Sequence, residues 1–303
     1  MLGVDDSSSI QWRVLRRLDR PSSTLFLVEA IAPGGSVRAY AKQAIPPPYE
    51  PERRQRWVDR ARAGLERGDV LETRLFEMLD PSQVRFSRTL AVDLPTLSVV
   101  TLEVVGEPFG KPWRHLFGGE RRAQAAEWLH RVGEVVRTIE KCTQEKIDVD
   151  TEARAAAVER RLERVSSVLP AETLSRVEQR MWELDSMATA GGRPLIYAHG
   201  DLSPTNILVG DQLGLIDFTW PPMVRGFDIA HLAFRLEYDT MAPAGLTAPL
   251  VKSLVDGYGD VGLTDSAAWH FTRMTKLLKI VEGAGRWSAD PRVRRALGEI
   301  EMI

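Results

Sequence analysis

A chain of 303 residues is long for a single hydrophobic core, so one large domain or two lobes around a cleft are expected. Apolar residues make up 44% and charged residues 27%, and 40 Lys plus Arg against 42 Asp plus Glu leave a formal charge of -2, which excludes a global basic field of the kind that gathers nucleic acid. The single cysteine, Cys142, excludes an intrachain disulfide, the opening MLGVDDSSSI has neither a basic n-region nor an apolar h-region, and no apolar run nears the roughly 20 residues of a membrane span, so a soluble, cytoplasmic protein is expected.

WRVLRRL, STLFLVEAI and SVRAYAKQAI are short β-favouring runs broken by DRPSS and APGG, which predicts an antiparallel meander with turns at Pro21 and at Gly34 and Gly35. After IPPPYEP the period changes. Over 51–79, Leu71, Leu75, Phe76 and Leu79 recur at helical spacing on a segment that begins strongly basic. Strand-like text returns in VRFSRTLAVD and TLSVVTLEVV and ends at Gly106, giving a sheet of about five strands with one helix inserted. Helices dominate beyond it. Ala125, Trp128, Leu129, Val132, Val135, Val136 and Ile139 predict an amphipathic helix over 121–141; Val158, Leu162, Val165 and Val168 mark another, and Leu174, Val177, Met181 and Leu184 a third. Two short strands interrupt this region, and helices resume near Asp228.

The interruption, IYAHGDLSPTNILVGDQLGLIDF over Ile196–Phe218, carries the chemistry. Asp201 sits in a loop after LIYA, where a carboxylate can accept a hydrogen bond from a hydroxyl and take its proton during attack. Asn206 offers a neutral amide oxygen, a hard donor suited to Mg²⁺ beside phosphate oxygens, and Asp217, ending LGLI, adds the charged oxygen that such an ion requires. Acid, amide and acid together describe metal-assisted phosphoryl transfer, in which the protein positions the nucleophile and neutralises charge.

HGDLSPTNIL followed by LIDF resembles the catalytic and metal-binding loops of protein-kinase-like phosphotransferases, and His-Gly-Asp in place of His-Arg-Asp resembles the aminoglycoside phosphotransferase and choline kinase branch. The resemblance implies an α+β, bilobal protein-kinase-like fold: a small antiparallel-sheet N-lobe with one helix, residues 1–105, that binds nucleotide, and a larger, mainly helical C-lobe, 106–303, with the catalytic loop and acceptor site. It also implies ATP (or GTP) and Mg²⁺ as cofactors and a small-molecule hydroxyl acceptor as partner. Lys42 in RAYAKQAI matches the strand lysine on the nucleotide phosphates, Glu72 in DVLETRLFEML its helix partner, and VVTLEVVGEPF the hinge that would hold adenine near Thr101, Leu102, Glu103 and Val104. RGFDIAHLAF resembles the segment after the metal loop, where Asp228 braces the catalytic region. His199 holds the loop in the same way.

The sequence departs from that pattern at three places. LDRPSSTLFLV lacks the glycines of a phosphate-covering turn, so Ser22, Ser23 and backbone N–H groups would have to meet the phosphates. Asp217-Phe218-Thr219 keeps the metal ligand without the usual glycine. Ser203 stands where protein kinases carry a lysine, which argues for a small molecule over a peptide. GEPFGKP is only a near miss for a P-loop, and no HExxH, CxxC or GxSxG occurs. For the acceptor, Glu237, Asp239, Asp256, Asp260 and Asp265 suggest an acidic lining fit for polycations, whereas Arg273, Lys276, Lys279, Arg286 and Arg292 suggest a neutral or anionic one. A nucleotide-binding pseudokinase or a scaffold is the alternative; oligomeric state is unspecified.

Overall fold

The computed structural model describes residues 11–20, 23–32, 34–46, 51–80, 82–110, 119–145, 151–189, 195–239, 244–283 and 290–302. By its internal contacts the chain forms two units, residues up to Glu107 with Ile207–Trp220, and Pro108–Asn206 with Pro221 onward.

The first unit is built on a five-stranded antiparallel sheet of β1 (Gln11–Arg20), β2 (Ser23–Ala32), β3 (Gly35–Ala44), β5 (Thr89–Asp93) and β6 (Ser98–Leu102), in the order β1-β2-β3-β6-β5. β3 is therefore internal. Its register sets Lys42 between Leu25 of β2 and Val99 of β6. The predicted helix forms as α1 (Pro51–Met78), with Leu71 and Leu75 one turn apart and only 2% and 1% exposed. VRFSRTLAVD does not make one strand. Its first part, β4 (Val84–Phe86), leaves the main sheet to pair in parallel with β11 (Leu213–Leu215), which also pairs antiparallel with β10 (Ile207–Val209).

The second unit is helical, and its apolar stripes are its core. α2 (Gly119–Thr143) contains the predicted stripe: Leu129, Val132, Val136 and Ile139 are fully buried. α3 (Thr151–Val165) and α4 (Ala171–Thr189) bury Val158, Leu162, Val165, Val177 and Met181 against Phe234, Tyr238, Leu277 and Leu278. Phe234 and Tyr238 lie on α5 (Phe227–Asp239), Leu277 and Leu278 on α7 (Ala267–Glu282), and α6 (Ala244–Tyr258) runs against α2. α7 starts where Ser266 Oγ accepts Trp269 N–H, and α8 (Pro291–Glu301) where Asp290 accepts Arg292 N–H ahead of Pro291; both satisfy donors that a helix start otherwise orphans. A small sheet, β12 (Pro222–Met223), β9 (Leu195–Tyr197) and β8 (Gln144–Glu145), frames the catalytic loop. Among the described residues no helix is long and apolar enough to cross a membrane.

Candidate active site

The candidate catalytic loop begins where β9 ends. Ala198 N–H donates to Pro221 O at 3.0 Å, and the next two N–H groups, of His199 and Gly200, both donate to the carboxylate of Asp228, at 2.7 and 3.0 Å. Gly200 has φ +86, a backbone region that a side chain makes costly, and this turns its N–H toward Asp228. Asp228 sits in the first turn of α5 with no exposed surface, and burial raises its pKa to about 7 against the two N–H bonds that favour the charged form. The bracing role expected of Asp228 is what this geometry provides.

Beyond that anchor Asp201 is exposed, and its N–H points to His199 Nδ1 at 3.4 Å. Asn206 is buried and donates its side-chain N–H to the backbone oxygen of Asp201 at 2.8 Å and to its carboxylate at 3.4 Å. Its own N–H donates to Ser203 O at 2.8 Å, and the Ser203 and Thr205 hydroxyls are 2.9 Å apart. The loop is thus closed by internal hydrogen bonds and presents one exposed carboxylate.

In the first unit, Lys42 Nζ lies 2.9 Å from Asp217 Oδ1. Asp217 is held at φ 64 and Trp220 at φ 50, left-handed conformations that cost about 1–3 kcal/mol each outside glycine and persist only where the surroundings enforce them. The enforcement is visible. Phe218 stacks on Trp220 with centroids 4.7 Å apart and meets Phe86 of β4 edge-on at 5.8 Å, while Arg67 of α1 donates to Trp220 O at 3.3 Å. Strain concentrated at a lysine-paired aspartate is a mark of a functional site.

Other predicted residues fall differently. Among the described residues, Glu72 accepts the N–H and hydroxyl of Thr89 on its two carboxylate oxygens at 2.7 and 3.0 Å, and Lys42 pairs with Asp217. The Glu72 carboxylate, 9% exposed, satisfies the first N–H of β5. Ser22 lies outside the described residues. Ser23 opens β2 only 4% exposed, so its hydroxyl offers almost no surface to a phosphate. Thr101 and Leu102 pair with Tyr40 and Ala39, and the N–H groups of Leu102 and Glu103 are donated to Arg88 O and Arg38 O at 2.8 and 3.0 Å, leaving Val104 beyond the strand end. The acidic lining is largely spoken for: Glu237 pairs with Arg273 at 2.8 Å, Asp239 with Arg235 at 2.7 Å, and Asp256 with Lys252.

The sequence reading missed Glu140. Only 1% exposed, it accepts Gly226 N–H at 2.8 Å and the Tyr258 hydroxyl at 2.5 Å and lies 3.6 Å from Arg225, so it fixes the turn that leads into α5 and Asp228. Burial raises its pKa and these partners oppose the rise. The signal was an acid four residues after Val136, inside the apolar stripe.

For a metal, the chemistry of the donors is the test. No group of three or more His, Cys, Asp or Glu gathers among the described residues. Asn206 commits its N–H group to Asp201, which leaves its amide oxygen as the donor it can offer. One amide oxygen and one carboxylate, with phosphates and water completing the shell, suit Mg²⁺, which keeps much of its hydration.

The fold resembles those of solved choline kinases and aminoglycoside phosphotransferases. A choline kinase from Cryptosporidium parvum Iowa II aligns with a TM-score of 0.54 and 13% identity, covering 98% of this chain and 91% of that one. The GDP complex of wild-type aminoglycoside 2'-phosphotransferase-IIIa aligns with a TM-score of 0.56 and 14% identity, covering 98% and 93%. A choline/ethanolamine kinase family protein from Mesorhizobium loti gives 0.56, 16%, 95% and 85%. At these identities the likeness establishes the fold alone. Sequence supplies the family: residues 110–274, more than half of the chain, match the model of the phosphotransferase enzyme family, APH, and the protein belongs to that family. No curated protein matches it in sequence.

Proposed function

We propose that the protein transfers the terminal phosphoryl group of ATP or GTP to a hydroxyl group of a small molecule. The carrying observation is the loop that presents Asp201 as its one exposed carboxylate, anchored by Asp228 and closed by Asn206. Asp201 accepts the hydroxyl proton of the acceptor as its oxygen attacks phosphorus. Lys42, held by Asp217, is the cation for the nucleotide phosphates, and Asn206 and Asp217 are the ligands for Mg²⁺, which when bound neutralises phosphate charge. With the N–H groups of Leu102 and Glu103 already donated within the sheet, the base edge falls to Glu103 C=O and the Val104 backbone. Residues 1–105 and 207–220 serve nucleotide binding and the helical remainder serves the acceptor. A guanine nucleotide bound to the aminoglycoside 2'-phosphotransferase-IIIa, and one cysteine in keeping with a reducing, nucleotide-rich cytosol, accord with this reading.

The test is Asp201→Asn. Removing a positioned base lowers turnover by about 10² or more while leaving nucleotide affinity close to wild type, measured as nucleoside diphosphate release beside equilibrium binding. Unchanged turnover removes Asp201 from that role.

A further inference from the structure

Resting on the phosphotransferase reading, the next question is what charge the acceptor carries. Four cations of the C-terminal unit feel one another's charge: Arg161 on α3, Arg235 on α5, and Lys276 and Lys279 on α7. Three have visible occupations. Arg235 pairs with Asp239, Arg161 donates to Thr275 O at 2.6 Å, and Lys279 is exposed to water. Arg273, on the same helix, is taken by Glu237 and Glu299.

Lys276 is different. It is half-buried, and among the described residues its ammonium makes no ion pair or hydrogen bond; its contact is the ring of Phe227, 5.3 Å from Nζ. Two carboxylates feel its charge, Asp201 and Asp228, yet each spends its hydrogen bonds elsewhere, Asp228 on His199 and Gly200 and Asp201 with Asn206. Beneath the same ring, His231 is buried with a centroid separation of 5.8 Å from Phe227, and its Nδ1 has no hydrogen-bond partner among the described residues. Burial first, then the neighbouring cations of Lys279, Arg161 and Arg235, push the Lys276 ammonium down to about 8, with Asp201 resisting; burial, Lys276 and Arg235 push His231 down to about 2. A half-buried ammonium whose contact is a ring face, set among like charges, keeps its hydrogen-bond donors for an anion.

We infer that the acceptor carries an oxyanion, a carboxylate or a phosphate group, and that Lys276 recognises it beside Asp201. An aminoglycoside or a quaternary amino alcohol would instead bring a second cation to this place, with Glu237 and Asp239 already paired.

Matched acceptor series test this: glycerate, glycerol 3-phosphate, glycerol and ethanolamine, then glucuronate, glucose 6-phosphate, glucose and glucosamine. Each is assayed with ATP, GTP and Mg²⁺ on wild type, Lys276→Met and Lys276→Glu, after calorimetry has established nucleotide binding to each. The expected result is that an anionic member exceeds its neutral and amine counterparts in kcat/KM by at least about tenfold, the size of one charge-assisted hydrogen bond. Lys276→Met removes that preference through KM with kcat nearly kept, and Lys276→Glu reverses it. Preference for a neutral or amine member, an anion preference that survives Lys276→Met, or no turnover of any anionic member while nucleotide binding is intact overturns the inference. Wild type that binds no nucleotide refutes the phosphotransferase reading itself.

Discussion

Asp228→Asn isolates the anchor of the catalytic loop. The carboxylate has no exposed surface and accepts two backbone N–H groups, at 2.7 Å from His199 and 3.0 Å from Gly200. An amide supplies one oxygen, so one N–H loses its partner and faces an NH₂ group. A buried donor left unsatisfied costs about 1–3 kcal/mol, or roughly a 5- to 150-fold rise in local opening. Hydrogen–deuterium exchange of peptides spanning 199–201 reads this directly. The pH dependence adds a second signature. Burial raises the acid from its ordinary 3.8 to about 7, so between those values the folded state holds a proton that the unfolded state has released. The contribution of Asp228 to stability is therefore greatest below 3.8 and declines as pH rises to about 7, a slope that Asp228→Asn lacks. Thermal unfolding from pH 5 to 8 should show the wild-type and variant profiles converging as pH rises. Parallel profiles with unchanged exchange at 199–201 would refute the bracing argument.

The remaining predictions separate structural from nucleotide-binding roles. Glu72→Ala leaves Thr89 N–H without its acceptor and should destabilise the first unit by about 1–3 kcal/mol, while Glu72→Gln keeps an oxygen for that N–H. Because Lys42 pairs with Asp217 instead, Glu72→Gln should leave nucleotide affinity unchanged in calorimetry, and a loss of affinity would restore the Lys42–Glu72 pairing. Gly257→Ala would set a methyl group 2.0 Å from His130 O, where α6 crosses α2, and should cost about 1–3 kcal/mol or more in thermal melting; Gly298→Ala, with open space around it, is the control and should stabilise α8 by about 0.5–1 kcal/mol.

How far the sequence reaches depends on the range of the signal. The strands around Asp201, Asn206 and Asp217 were legible because their short apolar segments are local, and β9, β10 and β11 form there. The stripe from Ala125 to Ile139 was legible because helical spacing is local, and those residues are buried in α2 as expected. The parallel pairing of β4 with β11, more than a hundred residues away, leaves no local trace, so Val84–Phe86 read as part of a single strand. Side-chain pairing was hidden for the same reason. Glu72 reads as a lysine partner by its position in the chain, yet the N–H of Thr89 lies closer in space. The acids from Glu237 to Asp256 read as a lining for a cation until their arginine and lysine partners were located.

The most direct test of the central claim is calorimetric titration of ATP and GTP into wild type and Asp217→Ala, with and without Mg²⁺. Binding that requires both the metal and Asp217 is the predicted result. Binding of neither nucleotide under any condition, or binding indifferent to Mg²⁺ and to Asp217, would contradict it.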